Sequence, residues 1–288
     1  MRYSGRDFND DEIQWLNAQI AQDPDLTRTI LSRRFCEQFG WKKSNGTLKD
    51  VSCRVALLRM EEDHLLTLPA RRMHPRPARF LIKRTLFGEP RAAITKPAGS
   101  FQLSLDVVTQ HSSGLWNELI DRYHYLGYQT LPGAQLRYLV RDEEDIIACL
   151  GFGAPAWKVA SRDRFIGWTT AQREGHLHLV VNNARFLIMP WVRSHNLGSR
   201  ILSLVQHSLG DDWEQVYHVR PVLLETFVEQ RRFTGAVYKA SNWLCVGETT
   251  GRGKKSRSTR PLIPIKTVWL FPLHRHFRSI LCGRAGRS

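Results

Sequence analysis

Apolar residues recur at helical intervals near the start of the chain. Residues 8–22 place Ile13, Leu16 and Ile20 at steps of three and four, and similar spacing returns over 26–41. Such spacing puts the apolar side chains on one face of a helix. Two helices are therefore predicted before the first glycine-containing turn.

A third apolar stripe follows that turn. Its predicted inward-facing members are Leu48, Val51, Val55, Leu58 and Met60. Three helices in this order are typical of a helix-turn-helix unit, which we assign to residues 1–72, with residues 65–72 as the strand that begins a wing. The alternative is a three-helix cap that only packs on a larger domain.

Polar and basic residues surround the third predicted helix. In a helix-turn-helix unit this helix enters the major groove, where its cations meet phosphates and its polar side chains meet base edges. The candidate DNA contacts are Lys42, Lys43, Ser44, Asn45, Lys49 and Arg54.

The pattern changes after residues 73–100, a Pro- and Arg-rich stretch that we interpret as a linker. Beyond it, short alternating segments predict strands, and residues 196–213 predict a long amphipathic helix. The chain is therefore predicted to be α+β, with a helical first domain followed by a mixed α/β domain over 101–248. A final strand is predicted over 265–273, within a basic C-terminal tail, 249–288.

Positive charge is concentrated at the two ends of the chain, whose formal net charge is +15. Residues 1–92 hold 17 Lys/Arg against 12 Asp/Glu, residues 101–248 hold 14 against 15, and residues 249–288 hold 10 against none. Such a distribution neutralises phosphates well, so DNA is the expected partner. A solubilising tail with only nonspecific affinity is the alternative. The tail residues expected to follow a phosphate backbone are Arg252, Lys254, Lys255, Arg257 and Arg260.

Nothing in the sequence indicates a membrane segment or a disulfide framework. No apolar run approaches the roughly 20 residues needed to cross a bilayer, and the first residues lack the apolar core of a signal peptide. The five cysteines are odd in number and scattered, as expected of reduced thiols rather than of a zinc site. We therefore expect a soluble, cytoplasmic protein without a membrane partner or a structural metal.

The junction between a predicted strand ending at Pro190 and the long helix predicts an anion pocket, because the first amides of a helix point towards whatever lies in front of them. The residues of this pocket are Arg193, Asn196, Gly198 and Ser199. The junction resembles the strand-turn-helix of the GNAT acyltransferases, whose turn holds the pyrophosphate of acetyl-CoA. Asn196 stands where that turn has a glycine, and its side chain takes up space beside the phosphate. This departure argues against acetyl-CoA as a cofactor and favours a GNAT-like fold whose pocket is reused.

Glu225 is a lone carboxylate within an apolar predicted strand. An unpaired buried carboxylate is costly, so Glu225 is either paired or has a raised pKa. Together with His124, Tyr125 and Arg185 it would form a cleft suited to proton transfer and to stabilising charge at a phosphodiester. The structural alternative is an ion pair of Glu225 with Arg185 or Arg162 that fixes the sheet.

Two further groups bear on nucleic-acid handling. Lys239, Asn242 and Trp243 lie close to the basic tail and are candidates for DNA contact, Trp243 through base stacking. Core packing nevertheless accounts for most tryptophans in a domain of this size. Asp121 and Glu225 are the carboxylates considered for Mg²⁺-dependent cleavage, although separated acids without a motif are a weak signal.

Several segments together resemble the DruA-like family: RYHYLG (122–127), RDRFIGW (162–168), NNARFLIMPWV (182–192), NLGSRIL (196–202), LLETFV (223–228) and YKASNW with GETTGRG (238–253). This family is named after the Druantia anti-phage defence system, and similar regions precede the catalytic domain in some bacterial transposases. The resemblance implies a DNA-binding component of anti-phage defence or of a mobile element, which delivers a helicase, nuclease or transposase partner. It brings no reaction with it. The alternatives are a GNAT-like domain that itself cleaves or joins DNA strands and, more weakly, an acyl-CoA-dependent transferase.

Overall fold

The computed structural model describes residues 1–23, 25–43, 46–70, 82–251 and 264–283. Its contacts divide the chain into two compact units, Met1–Phe80 and Leu81–Ser288. The elements of the first unit are β1 (Arg2–Tyr3), β2 (Arg6–Asp7), α1 (Asp10–Gln22), α2 (Arg28–Gln38) and α3 (Asp50–Glu62). None of the helices in the described ranges combines the length and the apolar composition that crossing a membrane requires.

The three helices of the first unit pack around one apolar core. Its fully buried members include Leu16 of α1, Phe35 of α2 and Met60 of α3. Helix α1 begins with a capping box in which the Asn9 side chain accepts a hydrogen bond from the Glu12 amide at 2.8 Å, and this fixes where the helix starts. The three predicted helices are confirmed, each within a few residues of its predicted bounds.

Helix α3 buries a different stripe from the predicted one. Its inward-facing residues are Cys53, Ala56, Leu57 and Met60. By contrast, Val51, Val55 and Leu58 are 60%, 42% and 36% exposed, so their inward-facing assignment is wrong. Both stripes have helical spacing, but the buried one carries the small side chains of Cys53 and Ala56, which let α3 approach α2 closely.

Residues 64–70, which include most of the predicted wing strand, form no strand. The Leu68 amide donates to Glu61 Oε1 at 3.0 Å, and the Pro69 carbonyl accepts from Arg28 Nε at 2.8 Å. These backbone groups bond to side chains of α3 and α2 instead of to a neighbouring strand, and proline has no amide hydrogen to donate. In its described part the first unit is therefore a three-helix unit without the predicted wing.

The second unit mixes helices and strands, so the predicted α+β class is confirmed. Its helices are α4 (Gln110–Tyr123), α5 (Ala160–Ile166), α6 (Thr170–His176), α7 (Leu197–Tyr217), α8 (Ala236–Ala240) and α9 (Phe277–Leu281). Its strands are β3 (Ile94–Thr95), β4 (Leu103–Val107), β5 (Gln135–Asp142), β6 (Asp145–Gly153), β7 (Val180–Ile188), β8 (Val192–Arg193), β9 (Leu223–Glu229), β10 (Leu244–Glu248) and β11 (Lys266–Pro272).

Seven of these strands form one sheet in the order β10-β11-β9-β7-β6-β5-β4. Neighbouring strands are antiparallel except β7 and β9, which run parallel and pair at three positions that end with Asn182 and Glu225. Both strands continue beyond this point without pairing, so the sheet opens between them. A bulge at Ala184 in β7 marks the same place. This opening positions the candidate site.

Residues 82–100, predicted to be a linker, contact the second unit, and Arg84 and Thr85 contact α4. Thr85 donates its amide and its hydroxyl to the Glu118 carboxylate, each at 2.8 Å, and Arg84 pairs with Asp121 at 2.6 Å. Glu118 is fully buried, and such a carboxylate needs these partners. The described part of the predicted linker therefore belongs to the second unit, and the remainder lies outside the described residues.

Candidate functional site

A cavity of about 740 Å³ fills the opening between β7 and β9. Its walls are formed by residues 123–126 at the end of α4, 182–188 of β7, 226–229 of β9 and 232–238 leading into α8. Aromatic and aliphatic side chains make up more than half of the lining, and polar or charged side chains make up most of the remainder. Such a composition is typical of ligand-binding clefts. We refer to this cavity as the cleft.

Arg185 lines the cleft from β7. The residue is 7% exposed, its Nη1 donates to the Ala184 carbonyl at 2.8 Å, and its Nε is buried without a partner. No carboxylate of the described residues pairs with it. Burial lowers the pKa of the Arg185 guanidinium, because removal from water disfavours the charged form. The cleft therefore holds a desolvated cation with unused hydrogen-bond donors.

Asn182 and Asn183 lie where β7 and β9 separate. Asn183 is held on both sides: its Oδ1 accepts from the Tyr238 hydroxyl at 2.8 Å, and its Nδ2 donates to the Arg185 carbonyl at 3.0 Å. The Oδ1 atom of Asn182 is buried and has no hydrogen-bond partner. Because an unsatisfied buried acceptor is costly, Asn182 offers an unused acceptor to a ligand.

Two exposed aromatic residues lie at the edge of the cleft. Tyr125 and Phe233 are 37% and 50% exposed, and their ring centroids are 5.2 Å apart in an edge-to-face arrangement. Arg232 Cζ lies 5.2 Å from the centroid of the Tyr125 ring. Exposed aromatic rings next to cations are a pattern found where proteins stack on nucleic-acid bases.

His124 contributes an uncharged ring to the same cleft. Burial, and secondarily the neighbouring Arg185 guanidinium, lowers the pKa of His124 to about 4. The Leu126 amide donates to His124 Nδ1 at 3.2 Å, so the proton of the neutral ring resides on Nε2. At neutral pH the ring therefore adds no positive charge to the cleft and presents one N–H donor.

Glu225 lies outside the cleft, contrary to its predicted grouping with His124, Tyr125 and Arg185. Its fully buried carboxylate accepts from Arg162 Nη1 and from the Ala156 amide, each at 2.7 Å. Burial raises the pKa of Glu225, and Arg162 opposes that shift.

The ion pair with Arg162 explains why Glu225 is held away from the cleft. The adjacent Thr226 lines the cleft, whereas Glu225 contacts Arg162, which is itself fully buried and also donates to Asp163 Oδ1 at 2.9 Å. This is the internal ion pair that the sequence left open as the alternative.

The two carboxylates considered for Mg²⁺ are also separated. Asp121 pairs with Arg84 at 2.6 Å, and Glu225 pairs with Arg162 at 2.7 Å. Across the described ranges, no group of three or more His, Cys, Asp or Glu side chains is placed to hold a metal ion. The predicted Asp121–Glu225 pair is therefore not a metal site, since each carboxylate is committed to a different arginine.

Packing shapes the turn before α7. Asn196 has a φ of 62°, a left-handed conformation that asparagine tolerates, and Ser199 Oγ donates to its carbonyl at 2.9 Å. A Cβ atom at Gly198 would lie 2.6 Å from Val237 Cγ2, so glycine is required by the contact between α7 and α8. Val237 thus packs against the turn that was predicted to hold an anion, while Arg193 is exposed beside it.

The candidate DNA contacts of the first unit lie before and within the first turns of α3. Of these, Lys42 and Lys43 are exposed, and Lys49 directly precedes the helix. Arg54 is half-buried and pairs with Asp50 at 3.3 Å. The remaining candidates, Ser44 and Asn45, lie outside the described residues.

Trp243, predicted to stack on a base, belongs to the core instead. It is 3% exposed, and its ring packs against Tyr238 and Phe271 at centroid distances of 5.1 and 5.8 Å. Its neighbouring candidates Lys239 and Asn242 are exposed. The tail candidates Arg252, Lys254, Lys255, Arg257 and Arg260 lie outside the described residues.

Sequence reasoning missed Asn182, Arg232 and Phe233 as parts of the cleft. Asn182 begins an amide doublet inside an apolar strand, and Phe233 is an aromatic residue in a polar turn. Both break the local pattern, and such breaks often mark functional positions. Arg232 carries no comparable signal, because its neighbour Arg231 looks identical in sequence and only the fold places one of them over Tyr125.

The model of the family described as Druantia protein DruA matches residues 60–262 of this chain. A curated relative, the Druantia protein DruA of Escherichia coli (strain UMEA 4076-1), is 31% identical over 122 residues. This match covers 38% of the chain and 29% of the relative, so it spans less than a third of the relative's length.

Solved structures similar to this chain include acetyltransferases. The acetyltransferase of the GNAT family from Streptococcus pneumoniae is 11% identical with a TM-score of 0.38, covering 60% of this chain and 100% of that chain. The ribosomal-protein-S18-alanine N-acetyltransferase from Escherichia coli is 9% identical with a TM-score of 0.37, covering 65% and 98%. Similarity at this level says nothing about acetyl-CoA or catalysis in this chain.

Proposed function

Because this chain belongs to the family of Druantia protein DruA, we propose that it is a DNA-binding component of an anti-phage defence system. The family supports the anti-phage setting, and the charges around the cleft support DNA as the ligand. A helicase, nuclease or transposase partner and a role in mobile elements both stay predictions from the sequence.

Unpaired cations around the cleft carry this proposal. They are Arg185 and Lys266, which line the cleft, Arg193 and Arg200 on either side of the start of α7, and Lys239 on the adjoining helix α8. None of them forms an ion pair with a carboxylate of the described residues. Cations without local partners keep a positive potential at the surface, and such a potential attracts a phosphate backbone.

Several arginines elsewhere in the second unit are paired with carboxylates. Arg91 pairs with Asp145, Arg141 with Asp106, and Arg220 with Asp211. A paired cation is neutralised within a few ångströms, whereas an unpaired one acts over a distance of about 8 Å at physiological salt. These paired arginines therefore provide a reference for the unpaired cations around the cleft.

A pair of charge-matched variants tests the proposal. The first removes the unpaired cations Arg193, Arg200 and Lys239 as R193Q/R200Q/K239Q, and the control removes the paired cations as R91Q/R141Q/R220Q. Affinity for labelled DNA is measured by fluorescence anisotropy over a series of salt concentrations. We expect the slope of log affinity against log salt to fall by about 2 to 3 in the first variant, since each lost phosphate contact removes about 0.7 to 0.9.

The control variant is expected to keep nearly the wild-type slope. Equal losses in the two variants would show that overall charge, and not the cleft surroundings, governs binding. A wild-type chain that binds no DNA even at low salt would overturn the proposed function.

A further inference from the structure

We infer that the cleft binds one unstacked nucleotide of single-stranded DNA, with its phosphate on Arg185 and its base against Tyr125 and Phe233. This inference rests on the proposed function and adds to it the site and the part of DNA that is recognised. Four features of the cleft support it: its size, its buried cation, its exposed rings and the closed turn at the start of α7.

The cleft has the size of a small-molecule site. Its volume of about 740 Å³ lies within the range of roughly 300–1,000 Å³ that ligand pockets occupy. A nucleotide fits such a space, whereas a base-paired duplex is far too wide. A base can enter only after leaving its stack, and leaving it costs least in a single strand.

The buried guanidinium selects an anionic group. Arg185 offers five N–H donors, of which the one to the Ala184 carbonyl is bonded within the cleft, and its Nε is buried and unused. An arginine fork binds phosphate oxygens through paired hydrogen bonds. Because Lys266 and Arg232 also line the cleft against the single carboxylate of Glu229, the lining carries excess positive charge.

The rings at the edge select a planar group. Tyr125 and Phe233 remain 37% and 50% exposed although they contact each other, and base stacking on such rings is largely independent of sequence. Deeper in the cleft, the unpartnered Oδ1 of Asn182 can accept a hydrogen bond from an amino group of a base. Together, the Arg185 guanidinium matches the phosphate of a nucleotide, and the two rings with the Asn182 acceptor match its base.

An acyl carrier fits the same region less well. Its pyrophosphate would lie at the start of α7, where Asn196 stands in place of a glycine and Val237 packs against Gly198. The buried guanidinium of Arg185 lies instead inside the cleft. The observations therefore favour a nucleotide held between β7 and β9.

Two oligonucleotides with equal numbers of phosphates test this inference. One is an oligodeoxythymidine, and the other is an abasic strand built from tetrahydrofuran spacers. The full-length chain is compared with R185Q, with Y125A/F233A and with the control R220Q, whose arginine is exposed and paired outside the cleft. Thermal melts of each variant confirm that it is folded.

Wild type and R220Q should bind the oligodeoxythymidine about tenfold more tightly than the abasic strand, because stacking of one base is lost. Y125A/F233A should lose this preference and keep its affinity for the abasic strand. R185Q should bind both strands about tenfold more weakly, since a charge-assisted contact to phosphate is removed. Phe233 is half exposed, so F233A alone still tests the site if another variant does not fold.

The possible failures are distinct. Salt-dependent binding that is the same for both strands and for all variants would overturn the nucleotide site while leaving the proposed DNA binding intact. Absence of binding to either strand at low salt would overturn both. A melting temperature that acetyl-CoA raises in wild type but not in R185Q would assign the cleft to an acyl carrier and contradict the inference.

Discussion

Two buried arginines of the second unit have opposite surroundings. Arg162 is fully buried and bonded to Glu225, Asp163 and the Ala156 carbonyl. Arg185 is 7% exposed, but among the described residues its Nη1 donates a hydrogen bond only to the Ala184 carbonyl, and its Nε has no partner. The two sites lie on neighbouring strands, Arg185 on β7 and Glu225, the partner of Arg162, on β9.

The difference separates a structural ion pair from a site that is open to a ligand. Burying a charge is costly unless hydrogen bonds and opposite charge compensate for it. The chain supplies that compensation in full for Arg162 and leaves it incomplete for Arg185, inside a cavity large enough for a ligand. We conclude that Glu225 and Arg162 hold the sheet together and that Arg185 recognises an anion.

Breaking the ion pair between Glu225 and Arg162 should have the largest effect on stability. E225Q leaves the Arg162 guanidinium without its main counter-charge, so the free energy of unfolding should fall by about 3 to 5 kcal/mol. Urea denaturation measures this change, and the double variant R162M/E225L should recover part of it because both charges are removed. A fully stable E225Q that loses DNA strand cleavage or joining would instead give Glu225 a chemical role.

The pH dependence of stability should show a smaller effect from His124. Its pKa is about 4 in the folded chain against 6.5 for an ordinary histidine, so between these values the unfolded chain binds more protons and stability falls as pH falls. We expect H124Q to flatten this dependence by about 1 to 2 kcal/mol, a figure reduced for the partial exposure of the ring. Denaturation of both proteins at neutral and mildly acidic pH measures the difference.

The pKa of His124 also depends on the neighbouring Arg185. Arg185 lowers the pKa of His124 by charge repulsion, so R185Q should raise that pKa in an NMR titration. An unchanged pKa would mean that the guanidinium does not lie beside the imidazole as described.

Removing the charge of Arg185 should have the smallest effect on stability. R185Q removes a buried charge that has no carboxylate partner, so the free energy of unfolding should stay the same or rise by about 1 kcal/mol. This outcome is opposite in sign to that of E225Q, and urea denaturation under identical conditions compares the two. A loss of several kcal/mol in R185Q would show that Arg185 is a structural residue like Arg162.

Elements with strong local signals could be predicted from the sequence. The periodic helices α1 and α2 and the β5–β6 hairpin, with its acidic turn over 142–145, fall near their predicted positions. Helices α5, α6 and α8 have 7, 7 and 5 residues and are too short to show a periodic stripe. In α3 two apolar stripes had the same spacing, and only packing against α2 decided between them.

The candidate site, like the fold, could be predicted only in part from the sequence. His124, Tyr125 and Arg185, which were predicted to lie beside Glu225, line one cleft, whereas Glu225 does not line it. Glu225 departs from the pattern of its segment, but its partner Arg162 is 63 residues away in sequence, and no local signal distinguishes that arginine from Arg185. The face on which each side chain lies follows from strand register, which depends on the whole sheet.

Photocrosslinking tests the central claim most directly. A single-stranded oligonucleotide containing 5-iododeoxyuridine, irradiated in complex with the full-length chain, forms adducts that mass spectrometry assigns to individual aromatic residues. We predict adducts at Tyr125 or Phe233, and their loss in R185Q but not in R220Q. Adducts confined to other exposed rings, such as Phe87 and Trp157, which are 72% and 52% exposed, would contradict the assignment of the cleft as the nucleotide site.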